Sequence, residues 1–200
     1  MAPMSRSRPY HHGDLRAALL AGAERTLREK GTAALSLREL ARDTGVSHAA
    51  PGRHFKDKQA LLDALTLSGF ERLNQALAAA NRPDTALEPR MTALARAYVT
   101  FAVDNPELLE LMYSRKHDPD LGTELAASAE LSLGSFVQLV ADAQQRGEIV
   151  QGDPEAVTLA AAAGVHGLAA LATNGTLRPD VVLAGLEQHI HLLLHGLKPR

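Results

Sequence analysis

The 200-residue chain contains no cysteine, and only 4% of its residues are aromatic. Without cysteine there is no disulfide framework, no thiolate zinc site and no cysteine nucleophile. β-Branched residues are also sparse, whereas alanine and leucine dominate the 46% of residues that are hydrophobic. This mixture favours helices, because strands select β-branched and aromatic residues. The composition therefore predicts an all-α fold.

Signatures of several other protein classes are also missing. No uninterrupted apolar run looks long enough to cross a bilayer, and the first nine residues lack the apolar core of a signal peptide. There is no Gly-rich phosphate loop, nucleophile elbow or complete metal-ligand set. The pairs His11-His12 and His191/His195 could bind a metal, but adjacent histidines on a flexible segment seldom converge on one ion, and no acidic residue completes a HExxH-type set with His191 and His195. We therefore expect a cytoplasmic protein that is not an enzyme and has no metal or cofactor.

The formal net charge of −2 hides an uneven distribution. Residues 1–60 hold eleven Lys and Arg against six Asp and Glu, whereas residues 61–200 hold ten against seventeen. A basic N-terminal third, including an arm at residues 1–9, suggests that only this part meets a polyanion. Compositional drift would give the same split, so charge alone does not decide the function.

Residues 36–58 contain several helix boundaries within a short stretch. Ser36 precedes a segment with helical periodicity, and its hydroxyl is predicted to cap that helix. Gly45 falls just past the segment, where glycine adopts a left-handed conformation without penalty. Ser47 can cap the next helix. Two short helices joined by a tight turn with glycine predict a helix-turn-helix, whose second helix enters the DNA major groove.

Three residues set the expected packing around this unit. Pro51 falls in the first turn of the third helix, which should tolerate it with a local bend. Phe55 should close the core between three helices, and Asp57 should cap a fourth. The first four helices are predicted from Gly13 or Asp14 to Lys30, over 37–43, over 48–54, and from Asp57 to about Ala80.

The remaining chain is also expected to be helical. Residues 81–84, Asn-Arg-Pro-Asp, interrupt the pattern and mark a boundary. We predict an N-terminal helix-turn-helix DNA-binding domain (1–57), a connecting helix (58–80) and a C-terminal ligand-binding and dimerisation domain (81–200). Later helices are predicted over 88–103, 106–116, 121–146, 154–173 and 179–196.

The last two predicted helices carry unusually few polar residues. Residues 156–172 are apolar almost all round, so that helix must be covered on every side. At the end of the chain, little of the same protomer remains to cover both helices. We therefore predict a homodimer in which each chain contributes two helices to a four-helix interface. The alternative is that both helices pack inside a larger monomeric core.

Residues 13–73 carry a set of short motifs that occur together. They are Leu35-Ser36-Leu37-Arg38-Glu39-Leu40-Ala41, Gly45-Val46-Ser47, Arg53-His54-Phe55, and Lys58 with Leu61-Leu62. With these motifs the chain resembles the TetR (tetracycline-repressor) family of bacterial regulators. The resemblance implies an all-helical dimer with an N-terminal DNA-binding domain and a divergent C-terminal domain that binds a small ligand and releases DNA.

One subset of that family is more similar still. Tyr10-His11-His12-Gly13-Asp14-Leu15 and Ser47-His48-Ala49-Ala50-Pro51 resemble its N-terminal motifs. The subset carries a Trp-His-Gly signature in its C-terminal domain. His166-Gly167-Leu168 fits that signature, but the tryptophan is missing.

The predicted DNA contacts fall into four groups. Phosphate contacts supply affinity, and base edges supply sequence choice. Gly52 stands where the family usually has an aromatic residue, most often tyrosine, that touches the DNA backbone. We predict phosphate contacts from Ser36, Ser47, His54 and Lys58, base-edge or close backbone contacts from His48 and Arg53, a supporting cation in Arg38, and apolar contacts from Ala49 and Ala50.

The C-terminal domain is expected to hold an apolar pocket, lined mainly from residues 91–140, although most of these positions would also suit an ordinary core. The candidates are Tyr98, Phe101, Leu108, Met112, Phe136 and Val140, with Tyr98, Tyr113, His117 and His166 as polar groups that could orient a ligand. The predicted function is a repressor that binds a palindromic operator as a dimer and is released by a small, largely apolar effector. The alternative is a ligand-independent or structural DNA-binding protein.

Overall fold

The computed structural model describes residues 12–115 and 122–197, and every regular element in these ranges is helical. The predicted all-α class is therefore confirmed. The chain divides inside its third helix, so that unit 1 ends at Leu65 and unit 2 begins at Thr66. The described α-helices are α1 (His12–Lys30), α2 (Leu37–Asp43), α3 (Lys58–Ala80), α4 (Leu87–Asp104), α5 (Pro106–Arg115), α6 (Thr123–Gln145), α7 (Pro154–Thr173) and α8 (Pro179–Leu197).

Some predicted features lie outside the described residues. They are the basic arm at residues 1–9, the His11 member of the first histidine pair and the polar candidate His117. The limits predicted for the three functional regions remain predictions.

Unit 1 is built on the contact of α1 with α2. Leu19, Ala23 and Leu27 lie on one face of α1 and are buried, which is the helical spacing that the sequence shows. Leu40 from α2 meets this face close to Gly22, where an added Cβ would lie 3.3 Å from Leu40 Cδ2. A small residue at position 22 therefore allows the two helices to approach closely.

The turn after α2 follows the predicted glycine mechanism. Gly45 has φ +70°, the left-handed region that glycine adopts at low cost. Its N–H donates to Arg42 O at 3.1 Å, and Val46 N–H donates to Ala41 O at 3.0 Å. These two bonds form a Schellman motif, which satisfies the last carbonyls of the helix and turns the chain sharply.

The predicted third α-helix over residues 48–54 is wrong. The segment is a turn followed by one 3₁₀ turn at Pro51–Arg53. Ser47 O accepts Ala50 N–H at 2.9 Å, and Pro51 O accepts His54 N–H at 2.9 Å. Pro51 has no N–H to bond the Ser47 carbonyl, and Gly52 is a poor helix former, so a regular α-helix is not stabilised here.

The two predicted helix caps have different outcomes. Ser36 occupies the N-cap position of α2 in an extended conformation, but its side chain makes no capping hydrogen bond, so that part of the prediction is wrong. Asp57 does cap α3, since its Oδ1 accepts the Ala60 N–H at 2.8 Å. The start of α3 is therefore fixed by a side chain, whereas the start of α2 is not.

Unit 2 is a bundle in which α4 packs against both α7 and α8, and α6 packs against α7. Its most deeply buried side chains include Val99 of α4, Met112 of α5 and Leu186 and Ile190 of α8. Leu186 and Ile190 are four residues apart, the spacing at which an amphipathic helix turns one face towards a core.

Helix α7 is apolar but poorly covered. By length and composition it could cross a membrane, with a mean hydropathy of 1.6, and only 22% of that window is buried. The helix is not an uninterrupted apolar run, because Thr158 and His166 interrupt it, so it meets the test by length and average composition alone. A twenty-residue helix is about 30 Å long, which matches the hydrocarbon core of a bilayer.

Candidate nucleic-acid interface and ligand cavity

The segment between α2 and α3 is anchored by two buried residues and exposes most of the residues between them. Pro51 and Phe55 are buried, and the Arg16 guanidinium lies 5.6 Å from the centre of the Phe55 ring. This anchoring holds the intervening polar groups at the surface of unit 1. Between these anchors Gly52 and Arg53 are exposed and His54 is half-buried, and just before Pro51 the exposed residues are Ser47, His48 and Ala49, with Ala50 half-buried.

An open groove of about 680 Å³ gathers several of the predicted DNA contacts. Ser36, Arg38 and His48 all line it. Lys58 lies beside the same groove, because its Nζ donates to the carbonyl of Ala33, another lining residue, at 3.2 Å. Four of the predicted contacts therefore surround one concave surface, although their role on DNA stays a prediction.

The charges around this surface differ in how far they are neutralised. Arg42 lies 3.8 Å from Glu39 and 3.5 Å from Asp43, so its charge is partly balanced. Within residues 12–115 and 122–197, Arg38 and Arg53 form no ion pair, and both are exposed. These two guanidinium groups are therefore the more available for a phosphate or a base edge.

Unit 2 encloses a cavity of about 360 Å³. It is lined by residues from α3 to α8, and most of the lining is apolar. A concave, mainly apolar cavity with a few polar groups is the usual form of a small-molecule site. Five of the predicted ligand residues line it, namely Tyr98, Tyr113, Phe136, Val140 and His166.

Three predicted ligand residues do not line this cavity. Phe101 borders a separate open groove along α4. Leu108 and Met112 are buried against α3, where a Cβ added to Gly69 would lie 2.6 Å from Met112 Sδ and 3.3 Å from Leu108 Cγ. These two side chains fill the space that Gly69 leaves, so they serve the core and not the cavity.

One wall of the cavity carries a cluster of three polar rings. The Tyr98 hydroxyl lies 2.7 Å from His166 Nδ1 and 3.0 Å from the Tyr113 hydroxyl. The Tyr113 and His166 rings also contact, with centroids 4.8 Å apart. Burial, and then the neighbouring Tyr113, raise the pKa of Tyr98. Tyr98 is therefore an uncharged phenol that can donate one hydrogen bond within the cluster or to a ligand.

Two further polar residues at the cavity were not predicted from the sequence. Ser132 on α6 and Thr158 on α7 both line it. Thr158 is 2% exposed, and its Oγ1 has no hydrogen-bond partner among the described residues. The signal that could have found Thr158 is its position eight residues before His166, since this spacing places both on one face of a helix.

The histidines of the second predicted pair contact each other and an acidic residue. His191 Nδ1 lies 2.9 Å from Glu88 Oε1, and the His191 and His195 rings stack with centroids 6.3 Å apart. Within the described ranges, no three potential metal ligands lie close together.

The fold and these sites indicate a class of protein, a helical DNA-binding regulator with a cavity in its second unit. Family models agree: "Bacterial regulatory proteins, tetR family" matches residues 19–65, and "Tetracyclin repressor-like, C-terminal domain" matches residues 91–195. The chain belongs to the TetR family of DNA-binding transcriptional regulators. Its members are transcription factors, so the prediction that this protein is not an enzyme is confirmed. They are also soluble proteins, so the apolar α7 does not mark a membrane protein.

Solved structures give the same result. A protein of unknown function from Rhodococcus sp. RHA1 is 45% identical, with a TM-score of 0.86 over 96% of this chain and all of that one. A bacterial regulatory protein of the tetR family from Rhodococcus RHA1 is 25% identical, with a TM-score of 0.73 over 93% of this chain and 98% of that one. No curated protein matches this chain by sequence.

Proposed function

We propose that the protein is a cytoplasmic, homodimeric repressor that binds a palindromic operator and leaves it when a small, largely apolar ligand enters unit 2. The observation that carries this proposal is the 360 Å³ cavity, found on the same chain as the exposed helix-turn-helix surface. A ligand-independent or structural DNA-binding protein does not require such a cavity.

The uncovered faces of α7 and α8 support the dimer. Leu159 and Leu171 on α7, and Val181 and Leu192 on α8, are all exposed, with Leu159 67% and Leu192 61% accessible. A second copy related by two-fold symmetry would cover these side chains and form a four-helix interface. The same symmetry would present two helix-turn-helix units to half-sites about 34–36 Å apart, or a multiple of this.

The groove in unit 1 supports a phosphate-dominated contact with the operator. Each phosphate neutralised by a cation adds about 0.9 to the slope of log K against log salt. Changing Lys58 to alanine is therefore expected to weaken operator binding and to reduce that slope by about 0.9 per protomer. Fluorescence anisotropy of a labelled operator at several salt concentrations measures both quantities.

A control for Lys58 is available in unit 2. The Arg178 side chain is 77% exposed and pairs with Asp180 at 3.4 Å, so Arg178→Ala removes one surface cation of unit 2 that does not line the groove. It should leave the slope at its wild-type value. A flat salt plot for the wild type, or a Lys58→Ala plot with the wild-type slope, would remove Lys58 from the proposed interface.

Restoring an aromatic residue at position 52 is expected to strengthen operator binding, whereas the Lys58 variant weakens it. An added Cβ at Gly52 meets no atom within 4 Å, and its φ is not positive, so a larger side chain fits without strain. Gly52→Tyr is expected to raise operator affinity about tenfold, because one hydrogen bond to a charged phosphate contributes roughly 1.5 kcal/mol. Gly52→Phe, which lacks the hydroxyl, should gain less in the same titration; equal gains would exclude the hydroxyl contact.

A hydrogen-bonded link from the cavity to α3 supports the proposed release. Ser132 lines the cavity, and its Oγ donates to Asn74 Oδ1 at 2.6 Å, while Asn74 Nδ2 donates to Ser128 O at 2.9 Å. Asn74 lies on α3, the helix that begins at Lys58 in unit 1. A ligand that moves α6 would therefore move α3 as well. Operator affinity that is unchanged by every ligand that binds unit 2 would overturn the release mechanism.

We also propose membership of the subset with a Trp-His-Gly signature. His166 and Gly167 occupy the last two positions of that signature, and the cavity position of His166 supports the assignment.

A further inference from the structure

One residue that lines the cavity in unit 2 carries a buried hydroxyl with no hydrogen-bond partner among the described residues. It belongs to Thr158, which is 2% exposed on α7. Buried hydroxyl groups in folded proteins are nearly always paired, because an unpaired one loses its bonds to water without replacement. A ligand oxygen placed next to Thr158 would complete this bond.

The second polar position on α7 lies at a fixed distance from the first. His166 is eight residues after Thr158, which corresponds to about 12 Å along the helix axis. The lining residues of α7 between them include Ala161, Ala162 and Val165. The wall of the cavity that α7 forms therefore has a polar residue on either side of an apolar stretch.

The lining also limits the charge of a ligand. Among the described residues that line the cavity there is no Lys, Arg, Asp or Glu. A carboxylate or an ammonium group would lose its hydration there without meeting an opposite formal charge, which is strongly unfavourable. His166 is the one residue with a basic side chain among the described lining residues, and its Nδ1 is already hydrogen-bonded to the Tyr98 hydroxyl.

We propose that the effector is a neutral, elongated, mainly apolar molecule with an oxygen atom that accepts a hydrogen bond from the Thr158 hydroxyl. Its other end carries a group that hydrogen-bonds with the cluster of Tyr98, Tyr113 and His166. This inference rests on the proposed ligand-binding function of unit 2, and it adds the chemical class of the ligand.

The test uses three probes of equal chain length and full-length protein without DNA. They are octanediol with a hydroxyl at each end, octanol with one hydroxyl, and octanoate. Isothermal calorimetry gives each dissociation constant. Octanoate is expected to bind at least tenfold more weakly than octanol, because the carboxylate would be buried without an opposite charge.

Thr158→Val removes the hydroxyl but keeps the shape of the side chain. It should weaken octanediol about fivefold, the value of one ordinary hydrogen bond, and leave octanol nearly unchanged because its one hydroxyl is bound at the other end. Thr158→Ser should restore octanediol binding. The free Thr158→Val protein should melt at the same temperature as the wild type or higher, since an unpaired buried hydroxyl has been removed.

The outcomes separate this inference from the proposed function. Tight octanoate binding, equal effects of Thr158→Val on both neutral probes, or no binding of either neutral probe would overturn the ligand class. Octanediol that binds through Thr158 without changing operator affinity would support the ligand class and overturn the release mechanism instead.

Discussion

A variant in which Leu159 and Leu192 are both replaced by glutamate is expected to be monomeric and to lose measurable operator affinity. Both side chains are exposed on the single chain. The proposed two-fold interface would bury both of them from each protomer, four side chains in all. Four carboxylates would then be buried without partners, at a cost of several kcal/mol each. The sum of these costs exceeds the association free energy that an interface of ordinary size provides. Sedimentation equilibrium measures the mass, and operator anisotropy measures the binding.

A third exposed leucine provides the control for this variant. Leu131 lies on α6 and is 62% exposed, close to the exposure of Leu159 and Leu192. Leu131→Glu adds a charge of the same sign at a similarly accessible apolar position outside α7 and α8. It should leave the mass and the operator affinity unchanged. A double variant that remains dimeric would exclude α7 and α8 as the interface.

Most helix boundaries were predictable because short-range chemistry sets them. Gly45 ends α2 through a left-handed turn, and Asp57 starts α3 through a side-chain cap. The recognition segment was harder, because a cap at Ser47 and a proline in the first turn are both compatible with a helix over residues 48–54. Pro51 and Gly52 each remove part of the stabilisation of an α-helix, and together they leave only a 3₁₀ turn. Two adjacent residues that disfavour an α-helix therefore outweighed the sequence signals for one.

The cavity was only partly predictable, for a different physical reason. Helical spacing indicates that Tyr98, Leu108 and Met112 face inward, but it does not tell whether the facing space is filled or empty. Gly69 decides the question for Leu108 and Met112, since both side chains occupy the space next to it. That contact joins residues far apart in sequence, and it follows only from the packing of α3 against α5.

The separation of the chain into two compact units leads to a final prediction about Phe55. Phe55 is 2% exposed in the core of unit 1, so Phe55→Ala removes a large ring and leaves a cavity. Such a change typically costs about 3–5 kcal/mol, a large part of the stability of a small domain. Operator binding should therefore be lost, while octanediol binding to unit 2 persists. Hydrogen exchange would show reduced protection confined to residues before Thr66.

Phe136→Ala is the reciprocal variant, because Phe136 lines the cavity in unit 2 and is only half-buried. It should weaken octanediol binding by removing apolar contact, while operator binding stays at the wild-type value. If Phe55→Ala abolishes both activities, the two units do not fold independently. If each variant removes only its own activity, the unit with the DNA-binding surface and the unit with the cavity are stable independently of each other. Any coupling between DNA binding and ligand binding must then arise because a bound ligand favours one position of α3 over another.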